Sequence, residues 1–226
     1  ISPTRGSQWI PLRNNMPTMP FNDLALHPRD NALVLASHAR GVWVLDQVNA
    51  LQELTPAVAA KASHLFTVQP AYEIRTSNLR PHAGDMMFRG ENPANGALID
   101  YWLSAAGSPA TLTVRDATGA LVRELRTTSA RGINRVVWNL RHADIALRSG
   151  GGEDDEVGPS ATTPGPLVMP GSYSATLVAG GVTTTQRVEV REDPRISVSL
   201  AERREWTTFQ QQVAALGLPA CDALEH

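Results

Sequence analysis

The densest cluster of hard oxygen ligands in this sequence is the acidic run Glu153, Asp154, Asp155 and Glu156, which lies between glycine- and proline-containing stretches. A calcium ion needs about six to eight oxygen ligands at fixed spacing. The run lacks the alternation of acidic residues and the following glycine that a calcium-binding loop uses. The pattern therefore favours a solvated loop, with a weak cation site as the alternative.

Four histidines are candidate metal ligands. His27 and His38 precede turn residues, and His64 and His82 lie in connecting segments. None has a cysteine or a second histidine at the spacing of a zinc site. The sequence therefore predicts no metal and no cofactor.

Motifs for hydrolytic chemistry are absent from the sequence. It holds no Gly-x-Ser-x-Gly elbow, no His-Glu-x-x-His helix and no phosphate-binding Gly-Lys-Ser/Thr loop. Glycoside hydrolysis needs two carboxylates about 5 to 10 Å apart. Asp23, Asp30, Asp46 and Asp100 are available, but each lies beside a turn or strand end, where capping is the commoner role of aspartate. We assign no catalytic residue.

Exposed aromatic side chains are a further route to ligand binding, because their rings stack on sugars. Three aromatic residues fall outside the predicted core, namely Tyr72, Trp102 and Trp206. They are candidates for sugar stacking, and packing between domains is the alternative.

Composition excludes several classes of partner. The chain has 226 residues, 42% of them hydrophobic, and a formal net charge of −2. Near-neutral charge gives no electrostatic footprint for nucleic acid or an anionic membrane. No apolar run approaches the ~20 residues that span a bilayer. The single cysteine, Cys221, cannot form an internal disulfide.

The elements that must position these residues begin with three predicted strands, Phe21–His27, Ala32–His38 and Val42–Asp46, in which apolar residues alternate. A short helix is then predicted from Thr55 as N-cap and Pro56 to about Ser63. A long loop is predicted from Pro70 to Pro93.

Six further strands are predicted after residue 96, and at this spacing they indicate a β-sandwich. They are Ala97–Ser104, Ala110–Asp116, Leu121–Thr127, Asn134–Leu140, Ser172–Val178 and Thr183–Arg191. The predicted core comprises Leu112, Val114, Leu121, Leu125, Val137, Trp138, Leu140, Tyr173 and Leu177.

A C-terminal amphipathic helix is predicted from the capping box of Ser199 and Glu202 to Gly217, with Pro219 beyond it. Its apolar residues are predicted to form one stripe, which comprises Leu200, Trp206, Phe209, Val213 and Leu216. We expect this stripe to pack on the sandwich, on the N-terminal strands or on a second copy, since burial stabilises each large side chain by about 1.5–3 kcal/mol.

The opening run Ser-Pro-Thr-Arg-Gly-Ser-Gln-Trp carries Ser2, Gly6 and Trp9. It resembles the Ser-x-Asp-x-Gly-x-Thr-Trp hairpin of Asp-box (BNR) β-propellers, with Thr4 in place of the aspartate and Gln8 in place of the threonine. The three strands that follow fit the rest of one blade, which buries its faces only between neighbouring blades. The resemblance implies a single last blade whose partners are the remaining blades of a parent protein.

The turns of these strands extend the resemblance. The motifs are His27-Pro28-Arg29-Asp30, Ser37-His38-Ala39-Arg40-Gly41 and Trp43-Val44-Leu45-Asp46. They are similar to His-Pro-Arg-Asp, Thr-His-Gly-Arg-Gly and Trp-Val-Leu-Asp in the final blade of propellers related to sialidase-like and xyloglucanase-like glycosidases and to sortilin-type receptors. Ala39 departs from the glycine of that pattern.

The second half of the chain resembles another family over roughly Ala97 to Asp193. The segments beginning at Leu112, Gly132 and Pro170 are similar to the FlgD-type immunoglobulin-like domain, named after the flagellar hook-capping protein. The implied fold is mainly β. Its expected parts are a partial propeller blade (1–48), a connector with a short helix and a long loop (49–96), an immunoglobulin-like β-sandwich (97–193), a C-terminal helix (194–223) and a tag remnant (224–226).

These resemblances imply a non-catalytic accessory module of a secreted or periplasmic propeller protein. One alternative is part of a glycoside hydrolase whose catalytic residues lie in earlier blades. Another is a fragment of a sortilin-like, peptide-binding receptor. The uncovered blade also predicts homo-oligomerisation through its strands, or partial disorder, and carbohydrate is a further candidate ligand.

Overall fold

A computed structural model describes residues 1–13, 15–38, 40–74, 90, 92–146 and 162–224. Within these ranges the fold is mainly β, as predicted. The strands are β1 (Phe21–His27), β2 (Ala32–Ser37), β3 (Val42–Leu45), β4 (Ser63–Leu65), β5 (Ala71–Glu73), β6 (Ala97–Leu103), β7 (Ala110–Arg115), β8 (Leu121–Leu125), β9 (Gly132–Trp138), β10 (Ile145–Ala146), β11 (Thr162–Thr163), β12 (Gly171–Ala179) and β13 (Val182–Glu192). The helices are α1 (Asn49–Glu53), α2 (Pro56–Ala59) and α3 (Leu200–Leu224).

Some predicted features lie outside the described residues. These are the acidic run Glu153, Asp154, Asp155 and Glu156, most of the loop between Pro70 and Pro93, and the residues Ala39, His82, Glu225 and His226.

The first three strands form one antiparallel sheet in sequence order, at the predicted positions to within a residue. Residues opposite each other share a face, so Leu24, Leu35 and Trp43 lie on one face. Val34 and Val44 lie on the other face. Leu35 is buried, whereas Leu24 and Val44 are exposed. Each face of this N-terminal sheet therefore leaves apolar side chains in water.

Most of the other strands belong to two further sheets. One has the order β4-β6-β9, and the other has the order β5-β13-β12-β7-β8 with β5 parallel to β13. They approach each other at β4, where Ser63 Oγ donates to Ala179 O over 2.8 Å and the Gln186 side-chain amide donates to Leu65 O over 3.1 Å. The β structure curls as a half-barrel, and we call these eight strands the half-barrel.

Both sheets of the half-barrel contribute to one hydrophobic core. Ile99 and Trp138 come from the three-stranded sheet, and Leu112, Leu177 and Val188 come from the five-stranded sheet. Each fully buried side chain of this size contributes about 1.5–3 kcal/mol. The half-barrel therefore has a core of its own that does not involve the N-terminal sheet.

The predicted core is correct for most of its members. Those found buried are Leu112, Val114, Leu125, Trp138, Leu140 and Leu177, and Tyr173 packs against the cluster. Leu121 and Val137 were predicted wrongly and are exposed. In β9 the alternation turns Val136 and Trp138 inward and Val137 outward. In β8 an irregularity in the β7–β8 pairing places Leu121 opposite Arg115 at the strand end.

The connector differs from the single predicted helix. Thr55 caps α2 as predicted, because its Oγ1 accepts a hydrogen bond from Val58 N over 3.2 Å. The helix ends at Ala59 rather than near Ser63, since Ser63 already belongs to β4 and pairs with Leu103. Helix α1 was not predicted.

The final helix begins as predicted and ends later. Ser199 N donates to Glu202 Oε2 over 3.0 Å, and Glu202 N donates to Ser199 Oγ over 3.2 Å, which is the capping box. The Ser199 hydroxyl also donates to Glu202 Oε2 over 2.7 Å, and this bond, together with that from Ser199 N, lowers the pKa of Glu202. The predicted end at Gly217 is wrong, because α3 continues through Gly217 and Pro219 to Leu224. Glycine and proline weaken a helix by about 1 and 3 kcal/mol, without always ending it.

Candidate functional site

The first ten residues form a turn that closes on itself. The Ile1 amine donates to Ile10 O, and Ile10 N donates to Ile1 O, both over 2.8 Å. Between these ends, Gly6 N donates to Ser2 Oγ over 2.6 Å. Gly6 has a φ of 96°, which favours glycine. Ser2 and Gly6, two of the three residues that carry the Asp-box resemblance, therefore shape this turn.

Thr4 holds the position where the Asp-box pattern has an aspartate. Its Oγ1 accepts a hydrogen bond from Gln8 N over 2.8 Å. A hydroxyl thus satisfies a backbone donor that an aspartate side chain could also satisfy. Trp9, the third residue of the resemblance, is 75% exposed. The turn is therefore held by backbone and hydroxyl groups, and its aromatic residue is left in water.

A cavity of about 1040 Å³ lies between this turn, the N-terminal sheet, the connector and the half-barrel. Its lining is largely apolar and includes Trp43 of β3, Leu51 of α1, and Trp102 and Ile133 of the half-barrel. The Trp43 indole N–H is buried and has no hydrogen-bond partner within the described ranges. Sequence reasoning did not single out Trp43 for binding. The cavity means that the sheet and the half-barrel pack against each other incompletely.

Arg135 of β9 spans the two sides of this cavity. Its guanidinium donates to both carboxylate oxygens of Asp100, over 2.7 and 2.8 Å, and this bond raises the pKa of Arg135. The same group donates to the backbone carbonyls of Asp46 and Gln47, each over 2.8 Å. Asp100 is only 3% exposed. Arg135 therefore ties the segment after β3 to the half-barrel.

Three of the four carboxylates considered for catalysis, those of Asp23, Asp30 and Asp100, serve local structure. Asp23 Oδ1 accepts from Leu24 N over 2.8 Å, and Asp100 is paired with Arg135. Asp30 is paired with the exposed Arg29, and this hydrogen bond lowers the pKa of Asp30. Among the described residues, no three histidine, cysteine, aspartate or glutamate side chains are grouped closely enough to hold a metal ion.

The three candidates for sugar stacking lie on different elements. Only Trp102 lines the cavity, and its indole N–H donates to Lys61 O over 3.3 Å. Tyr72 of β5 accepts a hydrogen bond from Arg191, whose guanidinium lies 5.8 Å from the ring centroid. Trp206 lies on α3 beside Phe209, with ring centroids 6.1 Å apart. The aromatic residue that joins Trp102 in the cavity lining is Trp43.

Helix α3 is held to the half-barrel by a buried arginine. Arg203 is 2% exposed, and its guanidinium donates to Glu73 Oε2 over 2.7 Å and to Glu192 Oε2 over 3.2 Å. It also donates to Val168 O over 2.9 Å and to Thr207 Oγ1 over 2.6 Å. The four-residue spacing of Arg203 and Thr207 places both on one side of the helix. Sequence reasoning missed this polar inward face.

The apolar stripe predicted on α3 does not pack on the half-barrel or on the N-terminal sheet. All of its members are exposed, namely Leu200, Trp206, Phe209, Val213 and Leu216. The ion pairs of Arg203 determine which side faces inward. Leu200 also lies on a different side of the helix from Trp206, because a six-residue step turns the helix by about 600°.

We predict that His142 makes α3 docking sensitive to acid. Burial lowers the pKa of His142, and the Gln211 side-chain amide on α3 approaches its Nε2 within 3.2 Å. A group whose folded pKa lies below its unfolded value of about 6.5 stabilises the fold above that pH and loses this contribution as the pH falls. Urea unfolding should therefore show decreasing stability as the pH drops below about 6.5.

His142→Asn should reduce this pH dependence. A slope remains, because burial lowers the pKa of His64 as well. His38→Asn is the control for the substitution itself, since it replaces an exposed histidine far from α3 in the sequence. An identical profile for wild type and His142→Asn would contradict the prediction.

Comparisons with known proteins identify no relative. No protein-family model matches the chain, and searches of curated proteins and of solved structures find no significant match. In the described part of the chain, no helix has the length and apolar character needed to cross a membrane.

Proposed function

We propose that this chain is a non-catalytic, C-terminal structural module of a secreted Asp-box β-propeller protein. Residues 1–48 are its last blade, residues 49–96 are the connector, and residues 97–193 are a FlgD-type immunoglobulin-like domain. The role of the module is to support the propeller and to space it from its surroundings.

The observation that carries the proposal is that each face of the N-terminal sheet leaves large apolar side chains exposed. Leu24 on one face is 64% exposed, and Val44 on the other face is 58% exposed. A sheet with apolar residues on both faces is stabilised by layers on both sides, and a propeller supplies these layers as neighbouring blades. The blade interpretation thus accounts for the exposed apolar side chains on both faces at once.

Two further observations support it. The turn held by Ser2 and Gly6 leads toward the sheet, as an Asp-box hairpin leads into the strands of its blade. The half-barrel has two sheets around one core that includes the fully buried Trp138, which suits an immunoglobulin-like domain that folds by itself.

Two alternatives concern the parent protein. In a glycoside hydrolase, this module would contribute loops to a cleft formed by other blades; in a sortilin-like receptor, the blade would help to capture peptides. Turnover of polysaccharide by the full-length parent, retained after removal of everything beyond Asp46, would identify the module as an accessory of an enzyme. Loss of peptide capture on deletion of the blade would identify a receptor.

The module proposal is tested by binding. The segment encoded directly upstream of Ile1 is produced as a separate polypeptide, and its affinity for this chain is measured by calorimetry. We expect binding, and we expect Val44→Glu to weaken it at least tenfold, because the substitution places a charge on a covered face. Val178→Glu, at an exposed position on β12, is the matched control and should have no effect. Absence of binding, or equal effects of both substitutions, would overturn the proposal.

A further inference from the structure

The exposed side of α3 has the spacing of a helix–helix contact. Trp206, Phe209, Val213 and Leu216 follow one another at intervals of three, four and three residues. They are between 52 and 66% exposed and form what we call the exposed seam. This spacing places them at the a and d positions of a heptad, which form the narrow contact stripe of two paired helices. The seam therefore fits a helix better than it fits a sheet.

Rotation of α3 about its own axis cannot bury the seam against the half-barrel. Thr207 follows Trp206 by one residue, so the inward face lies about 100° from the start of the seam. That face is committed to the half-barrel through the buried bonds of Arg203 with Glu73 and Glu192. Turning the seam inward would break these bonds. It would also separate the buried Glu73 carboxylate from the Arg203 guanidinium, which is costly in a buried site.

The described part of the same chain supplies no helix that could cover the seam. Helices α1 and α2 have five and four residues, which is little more than one turn each. Helix α3 has 25 residues and is the one helix long enough within the described ranges. A second copy of the chain therefore offers a surface that matches the seam in length and spacing.

Area and charge also fit a second copy. Four large side chains at these exposures present on the order of 450 Å² of apolar surface. When two seams pair, the interface, including the polar residues at its rim, would bury about 1,000 Å² in total. This area is near the minimum for a specific interface and is typical of weak ones. The exposed Gln212 flanks the centre of the seam and is uncharged, so identical copies bring no like charges together there.

We propose that the chain forms a weak homodimer in which the exposed seams of two α3 helices pair. The small area sets the dissociation constant in the micromolar range or above. The proposal does not depend on the assignment of the N-terminal sheet as a propeller blade, because the seam lies on a different element.

Sedimentation velocity of the full chain over a concentration series tests this dimer. The wild type should move from monomer toward dimer as its concentration rises. Val213→Glu and Phe209→Gln should each raise the dissociation constant at least tenfold, because they place polar groups in the seam. Both positions are exposed in the monomer, so the far-ultraviolet circular dichroism and the unfolding midpoint should stay at wild-type values.

Val44→Glu is the matched control, because it alters an exposed valine of the N-terminal sheet and leaves the seam intact. It should leave the dissociation constant unchanged. A wild type that is monomeric at every concentration up to several hundred micromolar would overturn the proposal. A dimer that is weakened by Val44→Glu and not by Val213→Glu would also overturn it, and would show that the copies pair through the N-terminal sheet.

Discussion

Replacing Arg203 with methionine should lower the free energy of unfolding by about 3–5 kcal/mol, the range found when one partner of a buried ion pair is removed. Arg203 is almost fully buried and bonds to two glutamates, a backbone carbonyl and Thr207. Glu73 is also almost fully buried, so it loses a charged partner where water cannot replace it. Equilibrium unfolding in urea, followed by circular dichroism, measures the change.

Arg204→Met is the matched control, since Arg204 is the next residue on the same helix and is exposed. It should change stability by no more than about 0.5 kcal/mol. Arg203→Lys should fall between the two, because lysine keeps the charge but cannot reproduce the planar set of donors. If Arg203→Met and Arg204→Met had equal effects, the buried arginine would not be what fixes α3 to the half-barrel.

Replacing Arg135 with leucine should both destabilise the half-barrel and release the N-terminal sheet. The ion pair with the buried Asp100 is lost, which we expect to cost about 2–3 kcal/mol because Arg135 is itself partly exposed. Two hydrogen bonds to the carbonyls of Asp46 and Gln47 are lost with it. Hydrogen exchange should then accelerate in β1–β3 by at least tenfold relative to wild type.

Two variants separate these effects. Arg131→Leu changes an exposed arginine just before the same strand and should alter neither stability nor exchange. The double variant Asp100→Leu with Arg135→Leu removes both charges, so it should recover part of the lost stability while the sheet remains released. Unchanged exchange in β1–β3 of the Arg135→Leu variant would mean that other contacts hold the sheet in place.

The elements that sequence reasoning located correctly depend on local signals. The strands of the N-terminal sheet follow a two-residue alternation between turn residues, and the start of α3 follows from the capping box of Ser199 and Glu202. Thr55 caps a helix for the same reason. Such signals involve neighbours in sequence, so they can be read without knowing the tertiary partners.

The errors arose where a distant partner decides the outcome. Val137 belongs to a strand that was predicted two residues too far along the chain, and its face depends on the alternation around Trp138 in the assembled core. The inward side of α3 depends on Arg203 meeting Glu73, which lies 130 residues earlier. The cavity lining likewise combines Trp43 of the N-terminal sheet with Trp102 of the half-barrel. Sequence spacing within one element contains no information on such pairings.

Residue-resolved hydrogen exchange of the free chain tests the central claim most directly, which is that the N-terminal sheet is one incompletely covered layer beside a half-barrel that folds by itself. Amides of β1–β3 should exchange at least a hundredfold faster than those of β6, β9, β12 and β13, because the sheet has few buried contacts of its own. The upstream segment, once bound, should slow exchange in β1–β3 alone. Equal protection of both parts in the monomeric free chain would contradict the account.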